Sequence, residues 1–167
     1  MATVVLKLGD DISTDVIYPG RYMATVLPTE TPQFAFADHT EFNEKLRSQQ
    51  VAAGSVILAG RNFGCGSSRE QAVSTLKGHE LTIVAGDFAR IFLQNAINLG
   101  LRVVAAPGVR GTVGDELEIT GEAVINRSTG ERFPLQQIPR ARQAIMDAGG
   151  LISYTRRRVL EQRSKGT

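Results

Sequence analysis

One cysteine and two histidines in 167 residues remove several chemistries at once. A lone Cys65 cannot close an internal disulfide. One thiol and two separated imidazoles, His39 and His79, do not have the spacing of a zinc or iron–sulfur ligand set, so no metal site is expected in this chain. Neither histidine suits the base of an ordinary serine hydrolase, because His39 lies where a surface helix opens and His79 lies in a Gly-His-Glu turn. Long apolar runs are also missing. None approaches membrane-spanning length, and the opening MATVVLKLGDD lacks a signal core. Nor is there a marked excess of one charge. The net charge is +2, and the run Arg156, Arg157, Arg158 has no interleaved aromatics, which makes it a solvated helix end rather than a nucleic-acid surface. The expectation is a reduced, cytoplasmic protein that engages neither membrane nor nucleic acid.

Hydrophobic residues make up 42% and charged residues 22%, the balance of a soluble globular chain. The length suits one domain over residues 1–167, with a flexible tail expected from about residue 156. The middle alternates: SVILA (55–59) as strand, SREQAVSTLK as helix, LTIVA (81–85) as strand, DFARIFLQNAINLG as helix and LRVVAA (101–106) as strand. Asp87 is the expected cap of the second of these helices and Gly100 its left-handed terminator. Upstream, TVVLKL (3–8) is a further strand, MATVLPTETPQ (23–33) an exposed loop, and DHTEFNEKLRSQQ (38–50) a short amphipathic helix capped by Asp38. Downstream, short strands broken by glycine precede a helix from Pro139 that stops at Gly149 and Gly150. The fold class is α/β with an added β layer.

The segment GRNFGCGSSRE (60–70) holds most of the chemistry. Ser67 and Glu70 have the spacing of a capping box, which is a purely structural role. Gly64 and Gly66, however, let the backbone approach a ligand just after a strand, where helix N–H groups favour an anion, and Arg69 supplies a planar fork for a carboxylate or phosphate. The spacing fits neither a nucleotide P-loop nor a nucleophile elbow. From these residues alone the segment is either a cap or an anion site, and Asp15 is equally either an Asx-turn residue or a functional carboxylate.

Three segments, GDDISTDVIYPGRY, AGRNFGCGSSREQAV and DFARIFLQNAINLGL, resemble in order the signature segments of the aconitase swivelling domain, and AIMDAGGLISY near the C-terminus is similar as well. The likeness runs over roughly residues 4 to 155. It is strongest to the stand-alone small subunits of isopropylmalate-type dehydratases. The resemblance implies a three-layer β/β/α swivelling domain and a heterodimer or heterotetramer with a large subunit that carries a [4Fe–4S] cluster, with no cofactor in this chain. It implies a small di- or tricarboxylate substrate, a 2-hydroxy acid isomerised to a 3-hydroxy acid by dehydration and rehydration. By the same resemblance Ser67 is the base, Ser68 and Arg69 hold a substrate carboxylate, Arg69 also balances the charge on Ser67, and Asp15 handles the proton of the leaving water. Cys65 beside them is expected to be a packed small residue. Arg90 and Asn95 match family positions but are equally explained as helix residues making structural hydrogen bonds.

The family's substrate-selecting loop falls on Met23 and Ala24, where homoaconitase-type relatives place an arginine. An uncharged pair favours a small apolar substituent, because a buried carboxylate there would lack a partner. That favours 2-isopropylmalate, as in leucine biosynthesis, or 2,3-dimethylmalate over homoaconitate, with citraconate as a further alternative. From a different class, a non-catalytic module that binds a carboxylate or phosphate at the GSSRE helix start would carry the same motif.

Overall fold

A computed structural model describes residues 1–165 of the chain. Its strands and helices follow in the order β1 (Ala2–Lys7), α1 (Thr14–Ile17), α2 (Thr40–Arg47), β2 (Val56–Ala59), α3 (Glu70–Gly78), β3 (Thr82–Ala85), α4 (Arg90–Leu99), β4 (Arg102–Ala105), β5 (Glu116–Ile119), β6 (Ala123–Asn126), β7 (Arg132–Pro134), α5 (Arg140–Asp147) and α6 (Leu151–Lys165). The alternating middle of the sequence thus forms the expected β-α-β-α-β unit.

The strands make one sheet in the order β4-β3-β2-β1-β5-β6-β7. Its first four strands are parallel and the rest form an antiparallel meander joined through β1 and β5. Apolar runs such as VILA and TIVA are buried at every position because both faces are covered. Alternate side chains go to opposite sides. Ile57, Ala59, Ile83, Ala85 and Val103 pack with Ala72, Leu76, Phe92 and Ala96 of the helices. Val56, Leu58, Val84 and Val104 pack with Leu117, Val124 and Phe133 of the meander. The sheet therefore curls until β5 to β7 cover the parallel strands, which yields the three-layer β/β/α arrangement. Past β7 the chain returns to the far edge, where the Gln136 N–H donates to the Ala105 carbonyl at 2.8 Å.

Helix ends depart from the expected caps. Asp38 caps nothing and pairs with Arg21, while His39 stands at the start of α2 without a capping bond. Asp87 does not cap α4. Ala89 holds that position, and the Asp87 carboxylate accepts the Asn62 N–H at 2.6 Å instead. Gly100 does terminate α4 at φ +76°, where any Cβ would collide with the backbone of Gly149. The segment from about residue 156 is helical as far as Lys165 and α6 buries none of its side chains. Residues 166 and 167, the end of the expected tail, lie outside the described residues.

Candidate functional site

The carboxyl ends of β1, β2 and β3 release three segments that continue side by side beyond the sheet. Residues 9–14 run along residues 60–65, with Gly60 N–H to Gly9 O at 3.0 Å, Asp11 N–H to Arg61 O at 2.8 Å, Gly64 N–H to Ile12 O at 2.7 Å and Thr14 N–H to Cys65 O at 2.8 Å. On the other side Gly86 N–H donates to Gly60 O at 2.8 Å and Ala89 N–H to Phe63 O at 3.0 Å. Side chains lock the same loop: Asp10 accepts the Arg61 N–H at 2.7 Å, and the Asn62 amide donates to Asp11 at 2.8 Å. Gly64 sits at φ +84° with its backbone against the Phe92 ring, which leaves no room for a Cβ. A chain crossing beyond the carboxyl ends of parallel strands is where ligands bind in open α/β sheets. The glycine loop is held rigidly in that place.

This pairing sets residues 14 and 15 against residues 66–69. Arg69 Nη1 donates to Asp15 Oδ1 at 2.6 Å and to the Tyr18 carbonyl at 3.2 Å. The Gly20 N–H donates to the same carboxylate oxygen at 2.8 Å. A Cβ on Gly20 would lie 3.1 Å from Arg69 Nη2 and 3.2 Å from Asp15 Oδ1, so glycine there gives the pair its space. The Arg69 hydrogen bond first, and the Gly20 N–H second, hold the Asp15 carboxyl below the usual carboxylate range. Arg69 is packed in, its side chain 17% exposed, whereas the Asp15 side chain is 63% exposed and open to another donor. Arg69 Nε is buried with no hydrogen-bond partner among the described residues.

Ser67 and Ser68 are both exposed. Ser67 is not the cap of α3: Arg69 occupies that position, and no side chain caps the first turn. The capping reading therefore fails on geometry, and both serine hydroxyls are left for other use. Met23 and Ala24 are exposed on the neighbouring loop, with Met23 at 44%, and Gln71 of α3 ties that loop to the site by donating to the Met23 carbonyl at 3.2 Å. The expected loop is anchored at its far end. Thr31 is fully buried, accepting from Thr75 Oγ1 at 2.7 Å through its carbonyl and bonding Ser74 through its hydroxyl at 2.9 Å.

Asp15, Ser67, Ser68 and Arg69 thus share one surface, and Met23 and Ala24 stand on its rim. Cys65 is half-buried and joins the loop pairing through its carbonyl. Arg90 is exposed and Asn95 half-buried, and neither side chain makes a hydrogen bond among the described residues, so structural hydrogen bonding does not explain them. The sequence reading missed Thr14, 3% exposed, whose hydroxyl donates to the Ser67 carbonyl at 3.0 Å. It also missed the Tyr18 carbonyl and the Gly20 N–H. Their only signal was adjacency to Asp15 in STDVIYPG.

Chemically, the surface offers two exposed serine hydroxyls, an ionised carboxylate and a guanidinium whose Nη2 makes no hydrogen bond among the described residues. It is suited to a carboxylate ligand, and among the described residues no three His, Cys, Asp or Glu side chains group as metal ligands. No helix there is long and apolar enough to cross a membrane.

The family described as Aconitase C-terminal domain matches residues 12–107, which include Asp15, the glycine loop and α4. The isopropylmalate/citramalate isomerase small subunit of Methanocaldococcus jannaschii is 41% identical over 164 residues, covering 94% of both chains. The 3-isopropylmalate dehydratase small subunit of Pyrobaculum calidifontis is 47% identical over 160 residues, 90% of this chain and 94% of the other. A crystal structure of a 3-isopropylmalate dehydratase protein from M. jannaschii superposes with a TM-score of 0.86 at 38% identity, covering 98% of this chain and 97% of that one. With segment order, three-layer fold and near full-length similarity in agreement, the chain belongs to the small-subunit family of the 3-isopropylmalate dehydratases, built on the aconitase C-terminal domain.

Proposed function

We propose that this chain is the small subunit of a two-subunit hydro-lyase that converts 2-isopropylmalate to 3-isopropylmalate by dehydration and rehydration, in leucine biosynthesis. The observation that carries the reading is the clustering of Ser67, Ser68, Arg69 and Asp15 on one open surface, with neither serine hydroxyl spent on capping α3 and Arg69 paired with Asp15. Arg69 spends Nη1 on Asp15 and Tyr18, which leaves Nη2, unbonded among the described residues, to donate to a substrate carboxylate. Ser68 adds a neutral donor to that carboxylate. Ser67 takes the proton from the adjacent carbon. Asp15, held ionised, accepts a hydrogen bond from a donor on the partner and orients it toward the leaving water.

A cysteine-held [4Fe–4S] cluster does not fit this chain, whose only thiol is Cys65, so the cluster is assigned to a large partner subunit in a heterodimer or heterotetramer. When bound there, the cluster supplies the Lewis acid that draws off the substrate hydroxyl. Met23 and Ala24 face the substituent that distinguishes substrates, and their lack of charge suits an isopropyl group better than a third carboxylate.

The test is reconstitution of the full chain with its large subunit under reducing, iron-replete conditions. Turnover of 2-isopropylmalate is expected, with homoaconitate poorly used and citramalate as the small-substituent comparison. Ala24→Arg should shift preference toward the tricarboxylate. A complex that binds anions but turns over none of these acids would instead make the chain a non-catalytic module.

A further inference from the structure

Resting on Ser67 as the base, we propose that Thr14 is its positioning residue, a hydroxyl that moves its one proton from the Ser67 carbonyl to the Ser67 alkoxide when the base is formed. Thr14 Oγ1 donates to Ser67 O at 3.0 Å and lies 3.4 Å from Ser67 Oγ. A hydroxyl has one proton and two lone pairs, so it serves only one of these oxygens as donor at a time. No other side chain hydrogen-bonds Ser67 Oγ among the described residues, and the Arg69 Nη1 donor is already engaged by Asp15 and Tyr18. Thr14 is therefore the one side-chain donor in place for Ser67 before a ligand or partner arrives.

The placement is built into the backbone. Thr14 is 3% exposed, its N–H is fixed to Cys65 O at 2.8 Å, and Gly66 turns the chain beside it at a left-handed φ of +98° that favours glycine. The 3.4 Å gap is long for two neutral hydroxyls, whereas an O–H donating to an oxyanion closes to about 2.5–2.7 Å. The contact is thus weak when Ser67 is neutral and strong when it is ionised, the differential that acceleration requires. The carbonyl that loses the Thr14 proton belongs to an exposed residue, where water replaces the bond.

In the dehydration step the Ser67 oxygen forms an O–H bond as the substrate C–H bond breaks. The C–H electron pair becomes the C=C bond as the C–O bond breaks, and the departing hydroxyl takes a proton from the partner donor that Asp15 orients and leaves as water. Thr14 then returns its own proton to the carbonyl, and Ser67 gives the captured proton back to carbon in rehydration.

The experiment uses the reconstituted complex with Thr14→Val, which keeps the shape and removes the proton, beside Thr14→Ser and Ser67→Ala. Thr14→Val should lower kcat by about 10²-fold, the scale of losing one donor to a developing oxyanion. Its KM should change little, and the acid limb of its kcat profile should move to higher pH. Thr14→Ser should restore both kcat and the limb, and melting temperatures should differ by only a few degrees. Normal kcat in Thr14→Val, or a loss without a moved limb that Thr14→Ser does not rescue, overturns the role of Thr14. Should Thr14→Val not fold, Thr14→Cys, a weak donor of similar size, must show the same displaced limb. Full turnover in Ser67→Ala would strike instead at the base assignment beneath the proposal.

Discussion

Replacing Ser67 by alanine removes the proposed base while disturbing little else, because the structure assigns its hydroxyl no capping role. Its only hydroxyl contact among the described residues is the 3.4 Å approach of Thr14, and the bond from Thr14 goes to the Ser67 carbonyl, which alanine keeps. The stability change should fall within the roughly 0.5 kcal/mol of an exposed substitution. For a domain of this size that is about 1–2 °C in Tm. The Arg69–Asp15 pair lies on the neighbouring side chains and should persist. Catalysis has no such tolerance: a general base contributes about 10²–10⁴-fold, and the loss grows when it acts as one unit with its neighbours. The assay is kcat on 2-isopropylmalate in the reconstituted complex, measured beside Tm and partner affinity. A variant with near-normal kcat refutes the base assignment. A Tm lower by many degrees refutes the reading of Ser67 as structurally idle.

Gly64→Ala should cost about 2–5 kcal/mol, since a left-handed φ of +84° and a Cβ driven into the Phe92 ring add backbone strain to overpacking, and a melting curve like that of the wild type would contradict the packing. The Asp15 carboxyl is held below its ordinary value of about 3.9, so the Arg69 pair stabilises the fold above that pH and the contribution is lost as pH falls through the lowered value. Asp15→Asn should therefore flatten the acid side of a Tm against pH plot, and an unchanged acid slope would count against the pair. Amide exchange should be fast at Ala24, Val26 and Leu27, whose N–H groups have no backbone partner among the described residues, and slow at Phe36, whose N–H donates to Ile17 O at 2.8 Å; binding of the large subunit should slow the first group if the loop is covered. Equal protection of both groups in the free chain would exclude a mobile rim.

Much of the architecture is local and could be read directly. Strands such as VILA and TIVA announce themselves by continuous apolar burial, and α4 by its apolar face and its terminating glycine. The capping expectations at Asp38 and Asp87 failed for one shared reason. Asp38 and Asp87 carry acceptors that any nearby donor can claim, and residues distant in sequence, Arg21 and the Asn62 N–H, claimed them first. Ser67 lost its capping role because the helix opens later, at Glu70.

What the sequence by itself determined is therefore the alternation of strands and helices, the glycine loop between β2 and α3, and the signature segments that mark the family. Those depend on side-chain period and on residue types that tolerate only certain backbone angles. Only the tertiary structure decided that Asp15 binds Arg69 across 54 positions and that Thr14 meets Ser67 across 53. These contacts exist because β1 and β2 lie parallel and the segments leaving them pair onward past the sheet. Register between distant strands is set by burial of the whole sheet, and no local stretch of residues encodes it.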